Sequence, residues 1–336
     1  MPDRDVRQAS TGTPQSGGLS EASLLSCVQA AVAAPSLHNS QPWRFRIRNG
    51  GVDVYADRTR QLEVIDPSGR ELLISVGAAV FNLRVAIRQQ GWVPVGRTWP
   101  DADESELVAR IRPGPAAARD PAMDALAAAI PRRHTNRHPF DRVVVPAAIL
   151  EELAEAAATE GAALSIAGAV GRTAILSLVR SAEQRLRAQG RYRAELTDWT
   201  RPTRGRRDGV PPQAFGPWAA LETLPLRDYG LTQPQLQRRD EPFEPYPTIL
   251  VLFTNGDTPD QWVRAGQALQ RVLLLATVHG LAATPMSQPL EIPALRELVT
   301  DTRTGRWAQV ILRVGYGQAT AVTPRRPLSE VLIAPP

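Results

Sequence analysis

Three short segments of the chain combine polar or cationic side chains with residues that stiffen the backbone. The first, residues 34–43, reads APSLHNSQPW and lies where a predicted helix ends and a predicted strand begins. Its two prolines stop either regular element from continuing, because proline fixes φ and restricts the residue before it. The rigid loop between them offers the hydroxyl of Ser36 and the amides of Asn39 and Gln41, which can pair with a planar heterocycle. On these residues alone, a helix-ending turn with its own local hydrogen bonds is the simpler interpretation.

Arginines dominate the other two segments. Residues 132–140 read RRHTNRHPF, and three arginines and a hydroxyl within six residues can clamp a phosphate, since guanidinium groups bind phosphate through paired hydrogen bonds. An exposed basic linker explains this segment equally well. Residues 324–328 read PRRPL and hold an arginine pair in a turn stiffened by proline. For that pair, taken alone, an ordinary surface tail is the simpler interpretation.

The elements that would position these segments occur twice along the chain. Residues 77–92, GAAVFNLRVAIRQQGW, align without a gap with residues 266–281, GQALQRVLLLATVHGL, 189 positions later. The first copy is apolar around most of a helical circumference and ends at a glycine, which predicts a buried helix over residues 77–90. Strands are predicted on both sides of the two helices. They cover residues 43–47, 52–55 and 107–112 in the first half, and 248–253 and 309–314 in the second.

This repeat divides the chain into a lead-in at residues 1–18, a first half at 19–130 and a second half at 131–336. The predicted helices 21–34 and 146–158 form a looser third pair. Two equivalent halves of one chain are expected to pack about a pseudo-twofold axis, as the subunits of a homodimer do. A site at such an interface can take residues from both halves.

Residues at about 195–245 have no counterpart in the first half. They are rich in proline and arginine, and they contain Trp199, Phe215, Trp218 and Tyr229. A connection of this length is usually functional or mobile, and its aromatic side chains argue against full disorder. A lid over a neighbouring surface is the natural interpretation.

The composition is that of a soluble globular protein. Of the 336 residues, 43% are hydrophobic and 22% are charged, which excludes a disordered polyelectrolyte. Every basic residue is an arginine, as a GC-rich coding sequence favours, and a net charge of +5 is weak evidence for nucleic-acid binding. Cys27 is the one cysteine, so no intramolecular disulfide forms. His134 and His138 lie four apart, but a proline follows and no acidic ligand is near, so no metal site is expected.

No apolar run is long enough to span a membrane, and the polar first 20 residues lack the apolar segment of a secretory signal. We therefore expect a cytoplasmic protein with a disordered lead-in.

Taken together, the three segments resemble the nitroreductase-like FMN flavoproteins. PSLHNSQPW matches that family's flavin-contacting pattern PSxxNxQPW, and the RHTNR segment is similar to its phosphate motif RRSxR, with His134 in the second position and Thr135 in place of serine. The arginine pair near the C-terminus falls where the family places a final phosphate contact. The fuller phrases AAPSLHNSQPWRF and RRHTNRHPF resemble the fused, two-domain Acg-type branch of actinobacteria. The resemblance covers nearly all of residues 20–336.

The resemblance implies an α+β, nitroreductase-like fold in which two fused halves, each with a mixed sheet flanked by helices, form an intramolecular pseudo-dimer. In the usual members the flavin lies at a homodimer interface, where one subunit supplies RRSxR and the other supplies PSxxNxQPW. Here each motif occurs once, in opposite halves of one chain. One composite site therefore survives and its twin has decayed, which predicts one FMN per chain and makes a monomer sufficient for the site.

The family pattern also implies roles for individual residues. The isoalloxazine ring would lie against Pro35, Ser36, Leu37 and Asn39, in the loop that also carries Gln41. The ribityl-phosphate tail would be held by Arg133, His134, Thr135, Arg137, Arg325 and Arg326. Met286 and Ser287 would approach the flavin N5, where the acidic residue expected from the family is absent.

The expected function is that of an FMN-dependent oxidoreductase, which accepts hydride from NAD(P)H at the flavin N5 and reduces nitroaromatics or quinones by a ping-pong route. No side-chain nucleophile is required for this chemistry, because the cofactor carries it. The alternative is an FMN-binding storage or sequestration protein, whose insertion covers the face where nicotinamide must stack. A nucleic-acid binder is disfavoured, since no recognised motif or basic helix is present.

Overall fold

The computed structural model describes residues 18–217, 224–301 and 303–334, so the lead-in at 1–17 and Trp218 lie outside the described residues. The first half contains α1 (Glu21–Val32), β1 (Trp43–Arg48), β2 (Gly51–Ala56), α2 (Arg70–Gln89), β3 (Trp92–Thr98), β4 (Leu107–Ala116) and α3 (Pro121–Ala129). The second half contains α4 (Ala147–Thr159), β5 (Ala163–Ile166), α5 (Ala169–Ala188), α6 (Gly190–Thr200), β6 (Thr248–Thr254), α7 (Pro259–Val278), β7 (Leu281–Pro285), α8 (Pro293–Val299), β8 (Trp307–Tyr316) and α9 (Leu328–Val331). Apart from the additional helices α5, α6 and α8 of the second half, the same order of helix, two strands, helix and two strands occurs in both halves.

The two sheets share their topology. Their strand orders are β1-β2-β4-β3 and β5-β6-β8-β7, and every ladder is antiparallel. Single parallel bridges, Phe45 with Leu332 and Thr135 with Ala283, lie at the edge strands β1 and β7, so the parallel part of the expected mixed sheets is confined to these two contacts. A two-residue turn with positive φ at Asn49 and Gly50 joins β1 to β2, and so short a connection can only return the strand antiparallel. Both central ladders shift register at the same place, after Val54 in β2 and after Leu252 in β6.

Helix α2 begins at Arg70, seven residues before the buried segment that the apolar pattern indicated. Its first turn is capped by Asp66, whose carboxylate accepts hydrogen bonds from the backbone N–H groups of Glu71 at 3.1 Å and Leu72 at 2.8 Å. Side chains near the amino end of a helix commonly satisfy its free N–H groups in this way. Because Arg70 and Glu71 are charged yet buried, the apolar pattern did not extend to them.

Helices α2 and α7 cross at the centre of the molecule, where Gly77 and Gly266 bring the two backbones together. A Cβ on Gly77 would lie 2.1 Å from the carbonyl oxygen of Val263, and a Cβ on Gly266 would lie 2.0 Å from that of Ile74. Gly77 and Gly266 are 189 positions apart, and so are the contacted residues, Ile74 and Val263. The contact is therefore reciprocal, as at the axis of a twofold dimer, and it confirms the predicted intramolecular pseudo-dimer.

The halves differ most between their first two strands. Residues 49–50 join β1 to β2, whereas residues 167–247 join β5 to β6 and include α5 and α6. The excursion predicted at about 195–245 lies within this longer connection, which we call the insertion. Its described part packs an apolar cluster against Leu62 and Ile65 of the first half; the insertion contributes Leu186, Tyr192, Leu196, Val210, Ala214, Phe215 and Tyr229. The second half thus reaches over the first.

In the part of the chain that the structure describes, no helix is both long and apolar enough to cross a membrane. The Cys27 side chain is buried in the core of the first half, and burial raises the pKa of its thiol to about 11. Cys27 is therefore a core residue.

Candidate active site between the two halves

The loop at residues 34–43, the motif loop, is held in an unfavourable backbone conformation. His38, Asn39 and Gln41 have φ values of 48°, 55° and 52°. Residues other than glycine rarely adopt this left-handed region, at a cost on the order of 1 kcal/mol or more each. The surrounding structure must therefore hold the loop. Part of that support is local, because the Ser36 hydroxyl accepts a hydrogen bond from the Gln41 backbone N–H at 2.9 Å.

The amides of Asn39 and Gln41 tie the motif loop to the insertion and to the C-terminal tail. Asn39 donates to the carbonyl oxygens of Gly209 at 2.9 Å and Pro324 at 3.1 Å. Gln41 donates to the carbonyl oxygen of Arg207 at 2.8 Å and accepts from the backbone N–H of Arg326 at 2.8 Å. In this structure both amides are bonded to protein, so they position the loop.

A narrow cavity of about 90 Å³, the ring cavity, lies between the motif loop and the second half. Apolar side chains from both halves form much of its wall: Pro35, Leu37, Ile74, Leu269, Pro285 and Val310. Its polar lining comprises Ser36, His38, Glu71, Ser75, Thr135, Arg137, Tyr229, Ser287 and Gln309. Apolar walls with a few polar groups are typical of cofactor sites.

A second cavity of about 40 Å³, the anion cavity, adjoins the first. It is lined by Pro35, Ser36, Asn39, Arg133, Thr135, Arg137, Val210, Thr323 and Arg325, and it shares four of these residues with the ring cavity. We call the two cavities together the first cleft. Pockets for drug-sized molecules measure roughly 300–1,000 Å³, so a cofactor of that size would have to widen the first cleft.

Two arginines meet in the anion cavity, the buried Arg133 and the partly buried Arg325. Arg133 is 4% exposed, and burial together with the neighbouring Arg325 lowers its pKa to about 9. Burial lowers the pKa of Arg325 to about 10. The Nε–H of each guanidinium has no partner, and no carboxylate in the described residues pairs with either group. Buried cations without a counter-charge are costly, so this pair favours an external anion.

Four residues predicted from the sequence do not line the first cleft: Gln41, His134, Met286 and Arg326. The His134 imidazole bonds the carbonyl oxygen of Pro131 at 3.2 Å. Met286 is 1% exposed and packs in the core of the second half. Arg326 is paired with Glu330 at 3.2 Å. These side chains support the site's surroundings, whereas the other predicted residues meet at the cleft.

Sequence reasoning missed several residues of the cleft, above all those on the first turns of α2. Glu71 lines the ring cavity, and burial raises the pKa of its carboxyl group to about 8. The Ser75 hydroxyl accepts a hydrogen bond from the Leu37 backbone N–H at 3.3 Å and so joins helix and motif loop. The correct start of α2 would have indicated both, because they lie one turn apart on one helix face.

The pseudo-twofold axis relates the first cleft to a second one, of about 570 Å³, on the other side of α2 and α7. Five residues of the second cleft lie 189 positions from five residues of the ring cavity. The pairs are Val80 with Leu269, Gly96 with Pro285, Thr98 with Ser287, Asp260 with Glu71 and Arg264 with Ser75. The twin of the first cleft therefore persists as a cavity.

The second cleft differs in its electrostatics. The carboxylate of Glu160 is paired with Arg84 at 2.6 Å and with Arg271 at 3.1 Å. Asp260 is paired with Arg264 at 3.2 Å and accepts a hydrogen bond from the Thr98 hydroxyl at 2.8 Å. These cations are compensated by carboxylates of the chain itself.

Comparison with known proteins places this architecture in a family. The family model "Nitroreductase family" matches residues 130–316. A Mycobacterium tuberculosis protein named "Putative NAD(P)H nitroreductase Rv3131" is 36% identical over 311 residues, which cover 90% of this chain and 88% of that protein. Another from the same organism, "Putative NAD(P)H nitroreductase acg", is 30% identical over 91% of this chain and 94% of its own length.

Among solved structures, an FMN-dependent nitroreductase from Mycobacterium smegmatis in complex with NADPH is 19% identical. The match covers 65% of this chain and all of that one, with a TM-score of 0.39. Identity over nearly the full length of the mycobacterial relatives, together with the family model, decides the assignment. The chain belongs to the nitroreductase family, in its fused, two-domain Acg-type branch.

Proposed function

We propose that the first cleft binds one FMN and that the chain is an NAD(P)H-dependent oxidoreductase of nitroaromatics or quinones. The observation that carries the proposal is the arginine pair, the buried Arg133 and the partly buried Arg325, which has no carboxylate partner in the described residues and lies at one end of the first cleft. A phosphate monoester supplies the missing counter-charge, and charge-assisted hydrogen bonds from guanidinium groups are strong. Membership of the nitroreductase family supports FMN as the bearer of that phosphate.

Different residues of the first cleft bind different parts of the cofactor. Arg133 and Arg325 bind the phosphate, and Arg137 and Thr135 line the passage between the two cavities. The apolar wall of the ring cavity packs against a planar ring and excludes water from it. Because one chain supplies both the motif loop and the arginines, a monomer suffices for the site.

FMN bound in this cleft would supply the redox chemistry, the transfer of reducing equivalents from NAD(P)H to a nitroaromatic or quinone. The protein contributes position and charge. Ser287 lies where the family pattern expects an acidic residue, and its hydroxyl donates to Glu291 at 2.8 Å, a carboxylate that also pairs with the buried Arg227. The nearby carboxylate of Glu291 is thus hydrogen-bonded to the Ser287 hydroxyl, and its charge is compensated by Arg227.

Flavin content and reduction by NADPH test the proposal. We expect the purified or FMN-reconstituted protein to hold close to one FMN per chain, because one complete set of motif loop and arginines exists. Anaerobic mixing with NADPH should bleach the flavin absorbance, and addition of a nitroaromatic or a quinone should restore it. Two FMN per chain, or FAD in place of FMN, would contradict the composite site.

A second candidate function, FMN storage, is favoured by the position of the insertion. Val210 and Tyr229 of the insertion line the anion cavity and the ring cavity respectively, and Tyr229 is 6% exposed. The guanidinium of Arg137 lies 4.5 Å from the centre of the Tyr229 ring. A cover held in this way would keep nicotinamide out as well as keep the flavin in.

Substitution of Tyr229 separates the two functions. Removal of the whole insertion would expose the apolar cluster over Leu62 and Ile65, so a single change is cleaner. Tyr229→Ala should speed both the reduction by NADPH and the release of FMN on dilution, because one opening serves both. Tyr246→Ala is the matched control, since Tyr246 lies on the same insertion but is 76% exposed. A wild type that NADPH cannot bleach, beside a Tyr229→Ala protein that it can, would establish storage; unchanged rates in both variants would exclude a lid at Tyr229.

A further inference from the structure

His38 is a buried polar side chain without a partner. It is 3% exposed, and neither ring nitrogen has a hydrogen-bond partner in the described residues. Buried polar atoms are nearly always bonded, because losing water without gaining a partner costs free energy. His38 also lines the ring cavity. An unpartnered group at a cavity wall indicates that a ligand completes it.

The surroundings of His38 fix its chemistry. Its ring meets the edge of Tyr229, with 5.2 Å between centroids. Burial lowers its pKa well below the usual value, and the cations Arg227 and Arg137 lower it further. The one carboxyl group that lines the same cavity, Glu71, bonds Arg70 at 2.7 Å. The imidazole is therefore neutral, with one nitrogen that donates a hydrogen bond and one that accepts.

The position of His38 separates its ligand group from a phosphate. His38 lines the ring cavity but not the anion cavity, where Arg133 and Arg325 lie. Arg137, which pairs with no carboxylate in the described residues, lines both cavities and contacts the same tyrosine as His38. A neutral N–H beside an uncompensated guanidinium suits an oxygen with partial negative charge, and the aromatic edge of Tyr229 suits a planar ring.

We propose that His38 binds the electron acceptor, its N–H donating a hydrogen bond to a nitro or quinone oxygen on an aromatic ring that enters beside Tyr229. This inference rests on the proposed function, which supplies the acceptor class. It adds a named contact in a part of the cleft that the phosphate does not occupy. It also accounts for an orphaned side chain in a loop whose neighbouring amides are fully bonded to protein.

Calorimetric binding of nitrobenzene to the oxidised, FMN-loaded protein tests the contact without turnover, since no reductant is present. Ethylbenzene has a similar size but no acceptor oxygen, so it reports packing alone. We expect His38→Phe to lose about tenfold in affinity for nitrobenzene, the value of one net hydrogen bond, and to keep its affinity for ethylbenzene. His38→Gln retains an N–H donor and should recover most of the loss. All three proteins should hold equal FMN.

Three results would overturn the proposal. Unchanged nitrobenzene affinity in His38→Phe means that the acceptor does not use this group. An equal loss for both ligands, in His38→Phe and His38→Gln alike, means that His38 serves packing. Loss of FMN from His38→Phe with recovery in His38→Gln assigns the hydrogen bond to the cofactor. A wild type that cannot be loaded with FMN contradicts the proposed function before the variants are compared. The preference of that protein for nitrobenzene over ethylbenzene is still measured by the same titration.

Discussion

The two clefts of this molecule share a scaffold and differ in where their charges are compensated. In the first cleft, the buried Arg133 and the partly buried Arg325 have no carboxylate partner in the described residues. In the second, Glu160 pairs with Arg84 and Arg271 at 2.6 and 3.1 Å. The second cleft is much the larger, at about 570 Å³ against 90 and 40 Å³ for the two cavities of the first. If the proposed site is correct, the comparison teaches that uncompensated charge, more than volume, marks the site of an anionic ligand.

The difference can be traced to equivalent helix ends. Helix α1 ends at the cap residue Ala33, whose carbonyl oxygen accepts hydrogen bonds from Arg133 at 3.3 Å and Arg325 at 3.4 Å. Helix α4 ends at the cap residue Glu160. At the end of α1, two arginines thus bond one neutral carbonyl group. At the end of α4, two arginines pair with one carboxylate. We expect this difference of one residue type at one position to change the ligand that each cleft favours.

Removal of one arginine should have the largest effect on FMN affinity, and it should do so in the first cleft but not in the second. Arg133→Ala deletes a charged hydrogen bond to phosphate, which costs about 1.5–3 kcal/mol and lowers FMN affinity roughly tenfold to more than a hundredfold. Arg84→Ala in the second cleft should leave FMN affinity unchanged, since its guanidinium is already paired with Glu160. Titration of the apo-protein with FMN, followed by fluorescence quenching, measures both.

Arg207→Ala serves as a further control for that titration. Its side chain is exposed, and only its backbone carbonyl contacts the motif loop. If all three variants lose affinity equally, bulk charge rather than a phosphate site holds the flavin, and the contrast between the clefts fails.

The helix crossing provides the second-largest effect, and here the halves should behave alike. Gly77→Ala and Gly266→Ala each place a methyl group against backbone, at 2.1 and 2.0 Å from a carbonyl oxygen. Overpacking against a rigid neighbour costs about 1–3 kcal/mol, so both variants should lower the free energy of unfolding by similar amounts. Urea denaturation measures this. Gly190→Ala, with nothing near its added Cβ, is the control. A large effect at one glycine only would show that the axis is not symmetric energetically.

The sequence predicted the parts of this fold that depend on local pattern. The helices α1 and α4 and the strands β1, β2, β4, β6 and β8 are confirmed within a few residues, because apolar periodicity and glycine or proline stops mark them. The duplicated central helices α2 and α7 end as predicted, but each begins seven residues before the segment that the repeat indicated. The start of α2 was missed, since its capping group is Asp66, outside the helix, and its first residues are buried charges. Such burial depends on tertiary partners that no local pattern encodes.

The site was predictable in its motifs and unpredictable in its orientations. The motif loop and the arginine segments do meet, although they come from distant parts of the chain. Which side chain of the motif loop faces a cavity could not be read from the sequence: Gln41 is bonded to the insertion and the tail, whereas His38, which was not among the predicted site residues, faces the ring cavity. The loss of the twin flavin site stays a prediction from the missing motifs, and the pairing of Glu160 with Arg84 and Arg271, which bears on it, is created only by the fold.

The smallest expected effect tests whether the pairing of Arg84 and Arg271 with Glu160 is by itself what prevents anions from binding in the second cleft. Glu160→Gln keeps the shape of the side chain but leaves Arg84 and Arg271 without their carboxylate. Both arginines are partly exposed, 31% and 24%, so the variant should lose no more than about 1 kcal/mol of stability. In exchange the second cleft should gain weak affinity for inorganic phosphate. Phosphate should then raise the melting temperature of Glu160→Gln above its effect on the wild type, because a ligand of the folded state stabilises it by mass action.

That measurement needs FMN in excess, so that the first cleft is occupied and cannot supply the anion site. Sodium chloride at equal ionic strength controls for screening. Asp124→Asn removes a carboxylate from an exposed pair with Arg119, at 3.1 Å, and so changes net charge by the same amount outside either cleft. Equal phosphate stabilisation of all three proteins would mean that Glu160 is not what separates the clefts. If phosphate stabilises Glu160→Gln alone, one carboxylate at a helix end determines whether the second cleft binds phosphate.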